Sequence, residues 1–455
     1  MDLDRPLWNP QRELMDRVEL KRLQFEKLKK QLLRVYEQSP YYRAKFDRAG
    51  VNPHQFRSLE QYADYPFFDK EEERISQEES RLKESHPLGM HVVCDPRRVI
   101  RLSSTSGTTG RPTFTGYTQK DREAVNETGA RCLWRTGARP GDVVLHAFVL
   151  SMWIAGCPVV DVLQNFGACV VPIGALTGVE RFAQIAQEVF PKAVILTPSY
   201  AEHLIKTLPQ KAGVRAQDLG LEVVCCSGEP GASIPHVRER IETGFGGARV
   251  YDAIGSTGAV FMSSVSCQAH AGMHFLAEDY CLFEVVDPKT LEALPLENGV
   301  EGEIVLTGLE KECAPLIRWR DKDIVQVFTE PCACGRPGFR FIVKGRADDM
   351  LLVRGVNVYP HAVKDVVMKF HPRVTGAMVI ILESPPPQVE PPVPVRVEQA
   401  AGLPDAALPG LAREIEDQIH HRLRFTARVE LVPPGTFAGA YHKTQLFDRR
   451  YERKE

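Results

Sequence analysis

The sequence predicts an α/β protein: a large first region of mixed sheets covered by helices, with a β-rich segment, followed by a smaller α/β unit. Three observations predict it. Short apolar and β-branched runs alternate with helical segments between Val143 and Cys225, which argues a parallel sheet covered on both faces. Tyr280 to Thr307 reads as strands joined by a turn near Pro288-Lys289, and a second α/β pattern starts after Gly345. At 455 residues the chain is too long for one core.

From Gln11 to Gln38, Leu14, Val18, Leu20, Leu23, Leu28, Leu32 and Val35 recur near helical spacing among Lys, Arg and Glu, the pattern of one amphipathic helix. Val143 to Val149, Ala168 to Ile173, Lys192 to Leu196 and Leu221 to Cys225 are expected as strands, and Gly178 to Glu188 as one of the intervening helices. CLFEVVDP and EGEIVLTG make the β-rich segment. In the last unit Ser384 to Pro394, SPPPQVEPPVP, cannot hold a helix and reads as an exposed loop.

A net charge of −2, with 25% charged and 43% hydrophobic residues, gives no electrostatic case for nucleic acid. The opening MDLDRPLWNPQREL carries acids and no apolar centre, and no long uncharged apolar run follows, so neither a secretory leader nor a membrane span is expected. The cytoplasm is the default location. Eleven cysteines in so long a chain do not make a disulfide scaffold; they read as core fillers, metal ligands or reactive thiols.

The most informative stretch is Arg101 to Thr118, RLSSTSGTTGRPTFTGYT, in which Ser103 to Gly110 consists wholly of Ser, Thr and Gly after the apolar Val99-Ile100. Glycine lets the backbone turn its N–H groups inward and the hydroxyls add donors without bulk, so Ser104, Thr105, Ser106, Gly107, Thr108, Thr109 and Gly110 read as a phosphate cradle. It is not a Walker A loop, because Gly110 is followed by Arg111-Pro112-Thr113.

The loop resembles the phosphate-binding motif of the adenylate-forming superfamily of acyl-CoA synthetases, in its phenylacetate-CoA ligase branch: Thr113 to Thr118, TFTGYT, is similar to that branch's P-T-x-x-G-Y-T. The resemblance extends from Trp8-Asn9-Pro10 and Leu14 to Arg17, through Tyr41-Tyr42 and Pro66 to Lys70, to the last twenty residues. It implies a role for each later motif. Ser227, Gly228, Glu229 and Pro230 would frame the adenine ring. In Tyr251-Asp252-Ala253-Ile254-Gly255-Ser256-Thr257-Gly258, similar to D-x-Y-G-x-T-E, Tyr251, Asp252 and Ser256 would line the nucleotide site and Thr257 would meet the α-phosphate. Ile254 stands in the tyrosine place and Gly258 in the place of the glutamate that binds magnesium. The second change removes a carboxylate ligand from the metal that screens the triphosphate, and leaves open whether Glu229 or Asp252 substitutes.

Leu316 to Asp323, LIRWRDKD, resembles P-I-I-R-Y-R-T-R-D, whose last carboxylate, Asp323 here, would accept both ribose hydroxyls. Gly345-Arg346-Ala347-Asp348-Asp349-Met350 and Val353 to Pro360 are close to G-R-S-D-D-M and R-G-V-N-V-F-P. By resemblance Arg346 contacts the nucleotide and Asp349 is the pivot of a mobile C-terminal domain. Lys443, in Gly439 to Gln445 before Phe447-Asp448-Arg449-Arg450, would be the adenylation lysine, placing positive charge where it develops in the transition state. The implied domains are 1–348 and 349–455.

A separate signal is metal-like. Cys267-Gln268-Ala269-His270, His274 and Cys332-Ala333-Cys334-Gly335 bring Cys-rich pairs onto turns, which suits tetrahedral zinc held by Cys267, Cys332, Cys334 and one of His270 and His274. The family pattern G-[LM]-H favours His274. Such a closed site would brace the fold.

Phe148 to Pro158, FVLSMWIAGCP, falls where the branch builds its acyl pocket, and Trp153 with Ala155-Gly156 would make a flat slot for an aromatic ring. The expected activity is AMP-forming activation of an aromatic or arylacetic acid, then transfer to coenzyme A or a carrier-protein thiol. ATP, Mg2+ and structural Zn2+ are the implied cofactors, and a second copy of the chain is a candidate partner. Gly258 keeps two alternatives open: an aryl acyltransferase drawing on acyl-CoA, or a non-catalytic nucleotide-binding protein.

Overall fold

The computed structural model describes residues 3, 5–104, 112–229, 231–354, 356–437 and 446–453. They form two compact units, Met1–Asp321 with Gln326–Ile342, and Lys322–Val325 with Val343–Glu455. The expected boundary between 348 and 349 falls inside the second unit.

Among the described residues, a twelve-stranded mixed sheet organises the large unit. Across its width run Ala293–Leu294, Cys281–Val286, Glu301–Gly308, Trp319–Phe328, Arg340–Arg346, Met273–Phe275, Ser264–Ser266, Arg249–Ile254, Val223–Ser227, Ala193–Leu196, Val143–His146 and Cys169–Val171. The last five pair in parallel and the β-rich part is antiparallel, as the runs of sequence imply.

Strand alternation divides the parallel strands between two cores. Val144, Ile195, Val223, Cys225 and Tyr251 face the helices Gln119–Arg135 and Cys157–Phe166, burying Leu133, Trp134, Val162 and Phe166. Their neighbours Leu145, Val194, Leu196, Val224 and Val250 face Phe182, Leu204 and Ile241 of the helices Val179–Val189, Pro198–Lys211 and Pro235–Gly244. Both faces are covered, so the middles of these strands are near-continuous apolar runs, with polar residues such as His146, Ser227, Arg249 and Asp252 at or near their ends.

The expected single helix from Gln11 to Gln38 is two, Pro10–Glu13 and Arg17–Gln38. Asp16 breaks it, its carboxylate accepting the N–H groups of Val18 and Glu19 as an N-cap. Leu14 and Val18 flank that break and are exposed, whereas Leu28, Leu32 and Val35 pack on Phe56, Tyr62, Leu316 and Ile317.

In the small unit a four-stranded sheet, ordered Ala427–Val432, Val393–Gln399, Val374–Leu382 and Phe447–Arg449, carries the helices Pro360–Met368 and Leu408–Leu423. Gly376, at φ +89°, marks a register shift in the third of these strands; a Cβ there would lie 2.0 Å from the Met368 sulfur. The proline-rich stretch is a loop up to Pro392, tied down by Leu352 N–H to Pro387 O (2.6 Å) and Val389 N–H to Leu352 O (3.1 Å), while Val393 and Pro394 already belong to the next strand.

Candidate active site and metal centre

The glycine- and hydroxyl-rich run is carried by a hairpin of Arg101–Ser104 and Phe114–Tyr117, with Ser104 opposite Phe114. Ser104 donates its N–H to Met152 O at 2.8 Å and bridges to Trp153, tying the hairpin to the segment expected to line the acyl pocket. Thr105, Ser106, Gly107, Thr108, Thr109 and Gly110 lie outside the described residues, as do Pro230 and Lys443.

The segments expected to frame adenine and to meet the phosphate both leave the carboxyl ends of parallel strands, where open α/β sheets bind ligands. Ser227 ends one strand. Gly228 follows at φ +89°, and a Cβ on it would lie 3.0 Å from the Trp153 ring. Trp153 meets Phe148 edge-on at 5.4 Å, so an indole wall spans from the phosphate hairpin to the adenine segment. Glu229 accepts the Ser199 N–H at 2.8 Å, at the start of the helix Pro198–Lys211.

On the adjacent strand Tyr251 points into the core and is 1% exposed. Asp252 points the other way, accepting the Ser233 hydroxyl, and its N–H donates to Ser266 Oγ at 3.0 Å. Burial pushes the Asp252 carboxyl up to about 6 against the bonds from Ser233. The turn beyond closes with Ser256 N–H on Val260 O at 3.1 Å and leaves the buried Ser256 hydroxyl unpartnered. Thr257 is half-buried.

Gly258 is buried, and its missing side chain has no vacant space: a Cβ would lie 2.9 Å from Leu316 Cδ1 and 3.0 Å from Cε2 and Nε1 of Trp319. A side chain there would require Leu316 and Trp319 to shift, and Glu229 and Asp252 accept hydrogen bonds from the Ser199 N–H and the Ser233 hydroxyl. The residues at 258 therefore do not fit the family's magnesium anchor.

In the small unit Asp323 pairs with Arg346 at 3.0 Å, which brings together the expected ribose and nucleotide contacts. Asp349 lies 3.7 Å from Arg449.

The metal-like cluster assembles. Ligand atoms of Cys267, His274, Cys332 and Cys334 all lie within 4.8 Å of one another, with 3.5 Å between the sulfurs of Cys267 and Cys332 and 3.5 Å between Cys334 Sγ and His274 Nε2. Corners of a tetrahedron with zinc–sulfur bonds of about 2.3 Å are about 3.8 Å apart, so the four donors fit zinc. Sheet register selects the histidine: the strand Met273–Phe275 pairs with Arg340–Arg346 beyond the Cys332 turn, whereas His270 lies on the preceding turn with its ring 3.8 Å from Glu242. Burial together with Arg135, Arg340 and Arg336 lowers His274 to about 3, keeping the imidazole neutral. Burial raises the Cys334 thiol, but the Arg336 N–H and the Arg135 guanidinium, 2.9 Å away, prevail and leave it at about 7. Sequence reasoning missed Arg135, which is remote in the chain.

This sheet, this hairpin and these strand-end loops define an adenylate-forming enzyme, and comparison with known proteins bears that out. Residues 49–310 match the AMP-binding enzyme family and residues 355–450 its C-terminal domain. A phenylacetate-coenzyme A ligase of Thermus thermophilus is 34% identical over 94% of this chain and 96% of its own, and one of Escherichia coli is 32% identical over 77% of each. A crystal structure of 2-hydroxyisobutyryl-CoA ligase in the postadenylation state, in complex with R3-HIB-AMP, superposes with a TM-score of 0.89 at 29% identity, covering 100% of this chain and 95% of that one. The chain belongs to the AMP-binding enzyme family, in its phenylacetate-CoA ligase branch, and its reaction class is AMP-forming acid–CoA ligation.

Proposed function

We propose that the protein activates an aromatic or arylacetic acid as its acyl-adenylate and passes the acyl group to coenzyme A. The observation that carries the choice of acid is the indole wall of Trp153, edge-on to Phe148 and pressed on Gly228, a flat surface on which a planar ring stacks. The names of the curated relatives support the same reading.

In the first half-reaction a carboxylate oxygen of the acid bonds to the α-phosphorus of ATP and pyrophosphate leaves. In the second, the thiolate of coenzyme A attacks the acyl carbonyl and AMP leaves. Both depend on orientation and charge neutralisation more than on proton transfer. We assign Lys443 to the oxygens that gain charge in the first step, Thr257 to the α-phosphate, Asp323 to the ribose and Asp349 to the hinge. No step is assigned to a metal at 258. Cys267, His274, Cys332 and Cys334 would hold zinc, which there would cross-link the chain segments that carry them and supply no chemistry on the acid.

Screening pyrophosphate release across aromatic and short aliphatic acids, with and without coenzyme A, tests the proposal. Release with aryl or arylacetic acids, lost in Lys443→Ala, supports it. Turnover of aliphatic acids alone refutes the aromatic assignment. Gly258 is the one observation favouring an acyltransferase, which would deacylate an aryl-CoA and release no pyrophosphate with any acid.

A further inference from the structure

The helix Lys70–Glu84 is rich in charge, yet it buries Glu73, Ser76, Gln77 and Ser80. Polar side chains removed from water need partners, and these find them in two directions. Ser76 bonds His91 Nδ1 at 2.8 Å and Ser80 bonds His86 O at 2.8 Å, fixing the chain that follows the helix. Glu73 and Gln77, one helical turn apart and so on one face, meet the returning limb of the phosphate hairpin. Gln77 accepts the Phe114 N–H at 3.0 Å and donates to Phe114 O at 2.7 Å. Glu73 accepts the hydroxyl of Thr113, a residue 1% exposed at the point where the Ser103–Gly110 run rejoins its strand.

Glu73 feels the charge of Asp321 and those of Lys70 and Arg74 on its own helix. Asp321 holds the Trp319 indole N–H at 3.0 Å, and that indole fills the space over Gly258. Burial is the main force on Glu73 and raises it to about 7; Asp321 adds to the rise, and Thr113, Lys70 and Arg74 oppose it.

We infer that Glu73 is a positioning residue for triphosphate binding: by holding the Thr113 hydroxyl beside the Gln77–Phe114 clamp, it fixes the end of the phosphate loop. The inference rests on the nucleotide reading above. It concerns the phosphates alone, so it separates ATP from adenosine.

Calorimetric titration of the full-length protein with ATP plus magnesium, and separately with adenosine, tests it. Glu73→Leu keeps the bulk and removes the acceptor, and Thr113→Val removes the same bond from the loop side. Each is expected to weaken ATP binding by about tenfold while adenosine stays within about twofold. Glu73→Gln retains an oxygen for the Thr113 hydroxyl and recovers most of the ATP affinity. If Glu73→Leu fails to fold, Thr113→Val carries the decision. Unchanged ATP binding in the variants, or equal losses for ATP and adenosine, overturns the role of Glu73 alone. Wild-type protein that binds neither ligand overturns the nucleotide reading first.

Discussion

The indole of Trp319 occupies the volume that a side chain at Gly258 would take, with Nε1 and Cε2 each 3.0 Å from the Cβ position. Gly258→Glu is therefore an overpacking change and no restoration of a family ligand. It should lower stability by about 2 kcal/mol, read as the urea midpoint. Combined with Trp319→Ala, the losses should be less than additive. A Gly258→Glu protein as stable as wild type would show that the packing yields.

Purified protein is expected to carry about one zinc per chain, by elemental analysis, if the four donors act as a closed site. His274→Ala should lose the metal and lower the melting temperature, whereas His270→Ala should keep both. The reverse pattern would assign the fourth ligand to His270 on the preceding turn.

Asp252 gives a pH signature. Its folded-state value, about 6, lies above the ordinary 3.8, so its contribution is fully present below the unfolded value and lost as pH rises through about 6. Asp252→Asn, which cannot ionise, should gain stability relative to wild type from pH 4 to pH 7, by an amount on the order of 2 kcal/mol. Parallel urea midpoints across that range would refute this.

Gly228 sits at φ +89° against Trp153, so Gly228→Ala meets both backbone strain and the ring. The expected result is a rise of about tenfold in KM for the acid. Trp153→Ala should also raise KM for aromatic acids, and more than for aliphatic ones.

The parallel strands were legible because burial on both faces writes unbroken apolar runs such as Ala193 to Leu196. The four candidate zinc donors were legible as a set, but the choice between His270 and His274 depends on which one a neighbouring strand brings to Cys334, and that is a matter of register. Glu73 and Gln77 were not legible at all: in a helix reading KEEERISQEESRLKE they are indistinguishable from solvated charge until Thr113 and Phe114 are placed beside them. The state of Gly258 was equally hidden, since sequence shows a missing carboxylate and only packing shows the space already taken by Leu316 and Trp319. Helix ends obeyed local chemistry more than periodicity, as Asp16 demonstrates by capping one helix inside an apolar repeat that continues past it.

The Gln77 amide uses one N–H and its carbonyl oxygen on Phe114, the same pair of groups a peptide unit offers, so Gln77 gives the short hairpin what a single residue of a third strand would give it. The Phe114 N–H and carbonyl are thereby satisfied by a side chain, which keeps those two backbone groups from pairing with another strand. One side chain thus stands in for a neighbouring strand at the Phe114 position of a two-stranded ribbon.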